Sequence, residues 1–358
     1  MATPISHDEL VEVVLAYNQY KSQRVTAKAL NLSKGSVYRR LEKAKEEAEA
    51  GNLELLELLT TEPKVAETPN VYYPQDPLEP VETTDEWYER RVRRAKRIKA
   101  SSDRMKDFHV RIKEDKPYGI MHIGDPHLDD DGTDLEELAE DLVLINRVPG
   151  LYGLCVGDLT NNWVGRLTKL YEHQQDGKKD ALLAVEWFIN MVGVGNWLAI
   201  VNGNHDMWSG AENIVNWLCR NEHIPHADWK IRFRLMHGSG EDVTLNCAHD
   251  FKGHSMYHGS HGALKEAIFG TRDDIYSCGH KHSTSYLIEK IGDQNVCHML
   301  RVAGYKVVDE YAKVHGFRDQ RIRGSAITVI QPTKPPESRV LTFLDPHEGA
   351  DYLRYLRR

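Results

Sequence analysis

The sequence predicts an α/β layered domain preceded by a small all-α module, and three observations carry that expectation. From about residue 117 onward, short apolar runs alternate with amphipathic stretches at helical spacing, the pattern of strands and helices packed in layers. Residues 1–48 carry helical periodicity alone. Between them, residues 49–115 are charged and interrupted by Pro63, Pro69, Pro74, Pro77 and Pro80, which reads as a linker leading into a basic helix. The main domain is expected over 116–330. Residues 331–358 should add a strand around Val340 to Phe343 and a terminal helix packed on that domain.

Within the main domain the elements follow in order. Tyr118 to Ile123 reads as a buried strand ending at Gly124-Asp125, and Asp134 to Val148 as a helix. Leu151 to Val156 is the next strand, ending at Gly157-Asp158, followed by a helix over Asp180 to Val192. Trp197 to Val201 is a third strand, ending at Gly203-Asn204-His205-Asp206. Ile231 to Met236 and Val243 to Ala248 look like strands of a more antiparallel half. Polar side chains therefore gather at the C-terminal ends of strands, where open α/β sheets place their sites.

Composition excludes several classes. A chain of 358 residues with 41% apolar residues can form a sizeable core. A net charge of −8 argues against indiscriminate coating of nucleic acid, although the basic residues are concentrated locally. The five cysteines form no CxxC pair and no regular spacing, so no disulfide framework is expected, and a reducing compartment is. Met1 to Leu10 is polar and acidic, unlike a secretory signal. No apolar stretch approaches the ~20 residues that span a bilayer. The expectation is a cytoplasmic chain with no membrane partner.

Five clusters carry the chemistry: Asp125-Pro126-His127, Gly157-Asp158, Gly203-Asn204-His205-Asp206, His249-Asp250, and Gly279-His280-Lys281-His282. They lie roughly thirty to fifty residues apart, about one strand–helix–strand unit each. Asp, Asn and His together suit Mn²⁺, Fe or Zn²⁺ better than Ca²⁺. Two such ions ~3.5–4 Å apart need a bridging carboxylate, and the isolated strand-end Asp158 is a natural one. A single Gly-Asp is usually a turn and a single strand-end His usually structural. Five in order are not coincidence.

The set resembles the calcineurin-like metallophosphoesterases, with motifs D-x-H, G-D-x-x-[DN], G-N-H-[DE], a later His, and G-H-x-H. The match runs over about residues 117–330: Asp125 and His127; Gly157-Asp158 with Asn161; Gly203 to Asp206; His249; Gly279 to His282. The resemblance implies a two-sheet metallophosphoesterase sandwich flanked by helices. It also implies two divalent ions, manganese first, with iron or zinc as the other ions these donors accept. One ion would take Asp125, His127, Asp158 and His282, the other Asp158, Asn204, His249 and His280. His205 would not bind metal but would contact the phosphate or protonate the leaving oxygen, with Asp206 orienting its ring. Hydrolysis would proceed by a metal-bridging hydroxide. In style the motifs are similar to the DNA double-strand-break repair nuclease branch, from which this chain differs by its N-terminal helical module and proline-rich linker.

Further polar residues near the clusters, Asn161, His254 and His258, are expected to bind substrate, with Asn162 and His261 beside them. Trp163 and Trp208 each follow a cluster directly and read as packing at its edge, with base stacking as the alternative.

The N-terminal stretch VTAKALNLSKGSVYRRL, Val25 to Leu41, fits two short helices, with a third over Glu9 to Tyr20. Asn31 can take the left-handed turn, and Ser33 can cap the following helix. The unit resembles a helix-turn-helix module of small DNA-binding and phage-type proteins. Lys34, Ser36, Tyr38, Arg39 and Arg40 would then face DNA. A second basic segment, Arg90 to Lys113, suits a phosphate-tracking arm or a solvated linker helix. Together these point to nucleic acid, DNA in the first place. The expected function is a metal-dependent DNA nuclease or phosphodiesterase. The alternative is a phosphomonoesterase or small cyclic-nucleotide phosphodiesterase whose N-terminal module only targets it. A regulator with a relic phosphoesterase domain is disfavoured, since no ligand position is lost. No Gly-x4-Gly-Lys loop occurs, so an ATPase partner would be a separate chain. A homodimer is the other assembly expected.

Overall fold

The structure is a computed structural model describing residues 5–20, 22–60, 82–193, 195–210, 213–255, 257–292, 295–307 and 321–358. It divides into two compact units, Met1–Thr84 and Asp85–Arg358.

The first unit is helical. α1 (His7–Tyr20), α2 (Gln23–Ala29), α3 (Lys34–Glu49) and α4 (Leu53–Thr60) close around Leu10, Val13, Val14, Ala27, Val37, Leu41, Ala44, Ala48 and Leu55. The α2–α3 turn is as expected: Asn31 has φ 53°, and the Ser33 hydroxyl accepts the Ser36 amide at 3.1 Å. The helical module does not stop at residue 48, however. α4 lies in the stretch expected to be linker, and its Leu55 is fully buried in the helical core. The prolines from Pro63 to Pro80 lie outside the described residues.

The second unit begins with α5 (Thr84–Met105), which buries none of its side chains. The basic segment is not one helix. Its last residues form β1 (Phe108–Ile112), an edge strand parallel to β6.

Two six-stranded sheets follow. One has the order β12 (Val340–Phe343), β11 (Ser325–Ile330), β2 (Tyr118–Ile123), β3 (Leu151–Cys155), β4 (Trp197–Asn202), β5 (His226–Asp228). The other runs β1, β6 (Lys230–His237), β7 (Val243–Ala248), β8 (Ile275–Cys278), β10 (Asn295–Arg301), β9 (Ser285–Ile291). This second sheet is mixed rather than mainly antiparallel. β6–β7 and β10–β9 are antiparallel, but β1–β6, β7–β8 and β8–β10 are parallel. For β7–β8 the cause is the helix α10 (His261–Phe269) between them, since a helical crossover returns the chain in the same direction.

The sheets pack face to face through Ile120, Leu154, Val156, Leu198 and Val201 from one, and Phe233, Leu235, Leu245, Cys247 and Leu300 from the other. Outside the first sheet lie α6 (Leu135–Arg147), α7 (Lys178–Met191), α9 (Ile214–Asn221) and the C-terminal helix α11 (Pro346–Leu356). They seal a second core around Met121, Ile123, Leu142, Phe188 and Leu353. The one-turn helix α8 (Asn204–Met207) sits at the end of β4. The expected C-terminal strand and helix are thus β12 and α11, and α11 docks Ala350 and Leu353 into that core. All five cysteines are buried and free. No helix among the described residues is long and apolar enough to cross a membrane.

One polar group breaks the apolar seam between the sheets. Strand alternation turns His122 of β2 inward with Tyr118 and Ile120. Its Nδ1 meets the Ser277 hydroxyl at 2.9 Å and its Nε2 the Thr328 hydroxyl at 3.0 Å. Burial pushes its pKa down to about 3 from 6.5, so it stays neutral while the unfolded chain takes up a proton. The folded state therefore loses stability as pH falls below 6.5, by about 1.4 kcal/mol per pH unit for one such group. His122→Gln should flatten the dependence of unfolding free energy on pH between about 6 and 4 by one proton. Urea unfolding at stepped pH measures this, and equal slopes in the two proteins would refute it.

Candidate metal centre

The strands of both sheets deliver their C-terminal ends to one place. Asp125 and His127 follow β2, Asp158 follows β3, and Asn204 follows β4. From the other sheet, His249 follows β7, and His280 and His282 follow β8. The chain turns sharply at each exit. His127, Asp158, His280 and His282 all have positive φ, at 42°, 51°, 69° and 46°. Left-handed conformations cost non-glycine residues on the order of 1–3 kcal/mol and concentrate at functional sites.

The loops touch closely enough that glycine is required at two of them. A Cβ on Gly157, at φ 114°, would lie 2.5 Å from the Gly203 nitrogen and 2.8 Å from His249 Nδ1. A Cβ on Gly203 would run into the Asp158 carboxylate and come 2.6 Å from its backbone nitrogen.

Asp158 is the shared element. Its Oδ2 is 3.1 Å from His249 Nε2 and 3.9 Å from His205 Nε2, and its Oδ1 accepts the His205 amide at 2.9 Å. On one side, His249 Nε2 lies 3.1 Å from Asn204 Oδ1 and 3.0 Å from His280 Nδ1. On the other, His127 Nε2 lies 3.2 Å from His282 Nε2, which is 3.4 Å from Asp125 Oδ2. Two sets of donor atoms fall within 4.8 Å of one another: Asp158 with His249 and His280, and Asp158 with His127 and His205. All seven expected ligands are therefore brought together.

Several features fit cations. Ring nitrogens face one another at 3.0–3.2 Å, a contact that needs a proton or a cation between the lone pairs. Asp125 Oδ1 and His127 Nδ1 are buried and have no hydrogen-bond partner among the described residues. Burial, with Asp158 nearby, drives the Asp125 pKa far above the usual carboxylate range. Burial opposes charging His249, yet Asp158 and Asp125 hold its pKa up to about 9. The pocket thus attracts positive charge even to a buried imidazole. His249 Nδ1 donates to the Val156 carbonyl at 2.9 Å, which leaves Nε2 facing the cluster, as is usual for a ligating histidine.

His205 is oriented in the same way, but not by Asp206. Its Nδ1 donates to the Asn161 carbonyl at 2.5 Å. The buried Asp206 carboxylate instead accepts the Leu159 amide at 3.1 Å and the Gly203 amide at 2.9 Å. Burial and Asp158 push its pKa up to about 7. Asp206 therefore ties the Asp158 loop to the Gly203 loop. A residue next to His205 in sequence starts a helical turn, and its side chain leaves in another direction.

Asn161 is buried, with its amide nitrogen on Asp130 at 2.8 Å and Gln174 at 3.1 Å. Its backbone carbonyl rather than its side chain serves the cluster. His254 and His258 are exposed, and among the described residues no hydrogen bond or ion pair joins their side chains to the ligands.

Three supporting residues had no signal in the five clusters. Arg301, 1% exposed, donates to the Gly259 and Gly279 carbonyls at 3.1 and 2.6 Å and pairs with Asp250 at 3.1 Å, linking three loops. An arginine inside the apolar run of β10 was its one trace. Lys306 pairs with Asp130 at 2.8 Å and lies 6.0 Å over the Trp163 ring. Asp129 accepts the Asn161 amide at 2.7 Å.

No family model matches the sequence, and no curated protein matches it. Solved structures similar to this chain include Vps29 complexed with Zn²⁺ from Entamoeba histolytica, at 14% identity, 63% of this chain, 99% of that one and TM-score 0.33. The calcineurin-like phosphoesterase YfkN from Bacillus subtilis matches at 11% identity over 68% of this chain and 99% of that one, TM-score 0.36. The NAD nucleotidase NadN from Haemophilus influenzae matches at 12% identity over 63% of this chain and 49% of that one, TM-score 0.36. Likeness at this level decides nothing about chemistry, which rests on the side chains.

Gly203→Ala should displace the Asp158 carboxylate and lower Mn²⁺ affinity by about 10-fold or more. Titration calorimetry alongside far-ultraviolet circular dichroism checks this. Undiminished affinity in a folded variant would mean that Asp158 does not depend on the Gly203 contact.

Proposed function

We propose that this chain is a two-metal-dependent phosphoesterase of the calcineurin-like kind, acting as a nuclease or phosphodiesterase on DNA. The observation that carries the first part is Asp158, with a donor atom within 4.8 Å of those of His249 and His280 on one side and of His127 on the other. Asp125, His127, Asp158 and His282 would hold one cation; Asp158, Asn204, His249 and His280 would hold the other. Mixed imidazole, carboxylate and amide donors favour manganese, iron or zinc. Two such cations neutralise a phosphate ester and lower the pKa of water.

The chain's own residues supply the rest. The Asn161 carbonyl fixes the Nδ1–H tautomer of His205 and leaves Nε2 facing the Asp158 side of the pocket. Once Nε2 has taken up a proton to give the imidazolium, His205 would pass that proton to the leaving oxygen, a contribution of roughly 10²–10⁴-fold for a positioned acid. Asp206, through Leu159 and Gly203, keeps the Asp158 loop in register with the strand end that carries His205.

DNA as substrate is supported by the first unit and by α5. Lys34, Tyr38 and Arg39 are exposed along α3. Arg40 is not presented in the same way: it pairs with Glu9 at 2.5 Å and reaches back to Ser36 at 3.3 Å. The expected contact set thus narrows to Lys34, Tyr38 and Arg39, with Arg40 turned toward Glu9 of α1 and the Ser36 hydroxyl accepting from Arg40. α5 adds Arg91, Arg94, Lys96, Arg97 and Lys99 on an exposed helix.

His205→Gln should keep binding of two Mn²⁺ per chain while slowing hydrolysis of a phosphodiester dye by about 10²-fold or more. Loss of one metal equivalent would make His205 a ligand instead. Asp158→Ala should abolish metal binding and turnover together. Activity on a phosphomonoester alone would exclude a nuclease.

Lys34→Ala and Arg39→Ala should each weaken duplex DNA binding uniformly across sequences and reduce the slope of log affinity against log salt by about one. Fluorescence anisotropy at stepped salt reads this, and an unchanged slope removes α3 from the interface.

A further inference from the structure

Three tryptophans stand against the histidines of the centre, and they differ in how they are held. Trp163 packs edge-on to His205 with ring centroids 5.2 Å apart. Its Nε1 donates to Gln174 at 2.9 Å, and Lys306 lies over its face. It is built into the wall. Trp208 lies 4.2 Å from His205, tilted by 42°, and 37% of it is exposed. Trp229 lies 5.3 Å from His249 and 6.3 Å from His280, and 38% of it is exposed. The latter two flank histidines that both approach Oδ2 of Asp158.

Trp229 sits where a tryptophan has no conformational reason to be. Its φ is 66°, in the one-residue link between β5 and β6. Its amide donates to the Asn202 carbonyl at 3.3 Å, and its carbonyl accepts the His249 amide at 2.9 Å. Those backbone bonds bind the strand leading to Asn204 to the segment carrying His249. They need only a backbone, and glycine or asparagine would take the left-handed conformation at less cost. A bulky ring in that conformation, with more than a third of its surface in solvent, is an outlier that points to function.

We propose that Trp208 and Trp229 are base-stacking walls of the centre, so that its substrate is a single-stranded nucleic acid whose unstacked bases lie beside the scissile phosphate. Two flat, exposed rings next to a phosphate site suit a nucleobase, because every base offers a π-face whatever its sequence. In a duplex the bases are already stacked and must be extruded first. This specificity rests on the phosphoesterase reading and adds to it what lies on either side of the phosphate.

The test uses the full chain in EDTA, where turnover does not interfere. Binding of a labelled oligothymidylate is compared by anisotropy with an abasic oligomer of the same length, so that phosphate contacts are matched. The wild-type protein should prefer the oligothymidylate. Trp208→Leu and Trp229→Leu should each weaken it about 10-fold and leave the abasic oligomer unchanged. Trp208→Phe and Trp229→Phe, which keep a ring, should retain most of the preference and guard against a folding defect. Equal binding of the two oligomers by the wild type, equal losses on both in the Leu variants, or equal affinity for thymidine 5′-methyl phosphate would overturn the proposal. Mn²⁺-dependent hydrolysis of methyl p-nitrophenyl phosphate by the wild type is scored separately. Its presence without base preference rejects the stacking walls alone, and its absence rejects the phosphoesterase reading itself.

Discussion

The Asp158 carboxylate is almost fully buried, in a left-handed backbone conformation, within 4 Å of two imidazoles and beside a second buried carboxylate, Asp125. An isolated carboxylate in such a place would be too costly to keep ionised, so the surroundings must provide compensating charge. The His205 amide provides one hydrogen bond, and a raised His249 pKa provides a positive neighbour. Arg301 stabilises the neighbouring loops by pairing with Asp250 and two carbonyls. Much of the local architecture can be understood as holding negative charge where water does not reach.

That requirement explains why two sheets are involved. One sheet alone brings Asp125, His127, Asp158 and Asn204 to its strand ends, both carboxylates but only one of the four imidazoles among the candidate ligands. The imidazoles His249, His280 and His282 come from β7 and β8 of the other sheet. The pairing of the sheets therefore sets the mutual distance of carboxylates and rings, and the apolar seam with its His122 bridge is upstream of the chemistry. Gly157 and Gly203 then allow the loops from neighbouring strands to approach at distances no side chain permits.

Much of this was legible in the sequence, for a local reason. Strands such as Tyr118–Ile123 and the polar residues after them are specified by a few adjacent side chains, and so are Asn31 and Ser33 at the α2–α3 turn. What escaped depends on partners far along the chain. α4 is a leucine-rich helix of about two turns, whose burial follows from packing against α1 and α3. β1 is basic and half exposed, and only pairing with β6, more than a hundred residues later, makes it a strand. The role given to Asp206 failed because neighbours in sequence at a helix start point apart, while the carbonyl of Asn161 arrives from another loop. Arg301 and Trp229 carry no motif at all; their positions acquire meaning only from the loops they meet.

Charge also constrains the order of events on the proposed reading. Asp158 and the nearby Asp129 give the undressed pocket little to attract a phosphate, and the whole chain is acidic at −8. A nucleic acid would thus be held first by elements distant in sequence from the centre, the exposed cations of α3 and α5, whose attraction reaches only about a Debye length, ~8 Å at physiological salt. On the proposed reading, metal loading would then favour phosphate entry by meeting the charge of the carboxylates, while the exposed indoles of Trp208 and Trp229 would offer the bases contacts that do not depend on the metal.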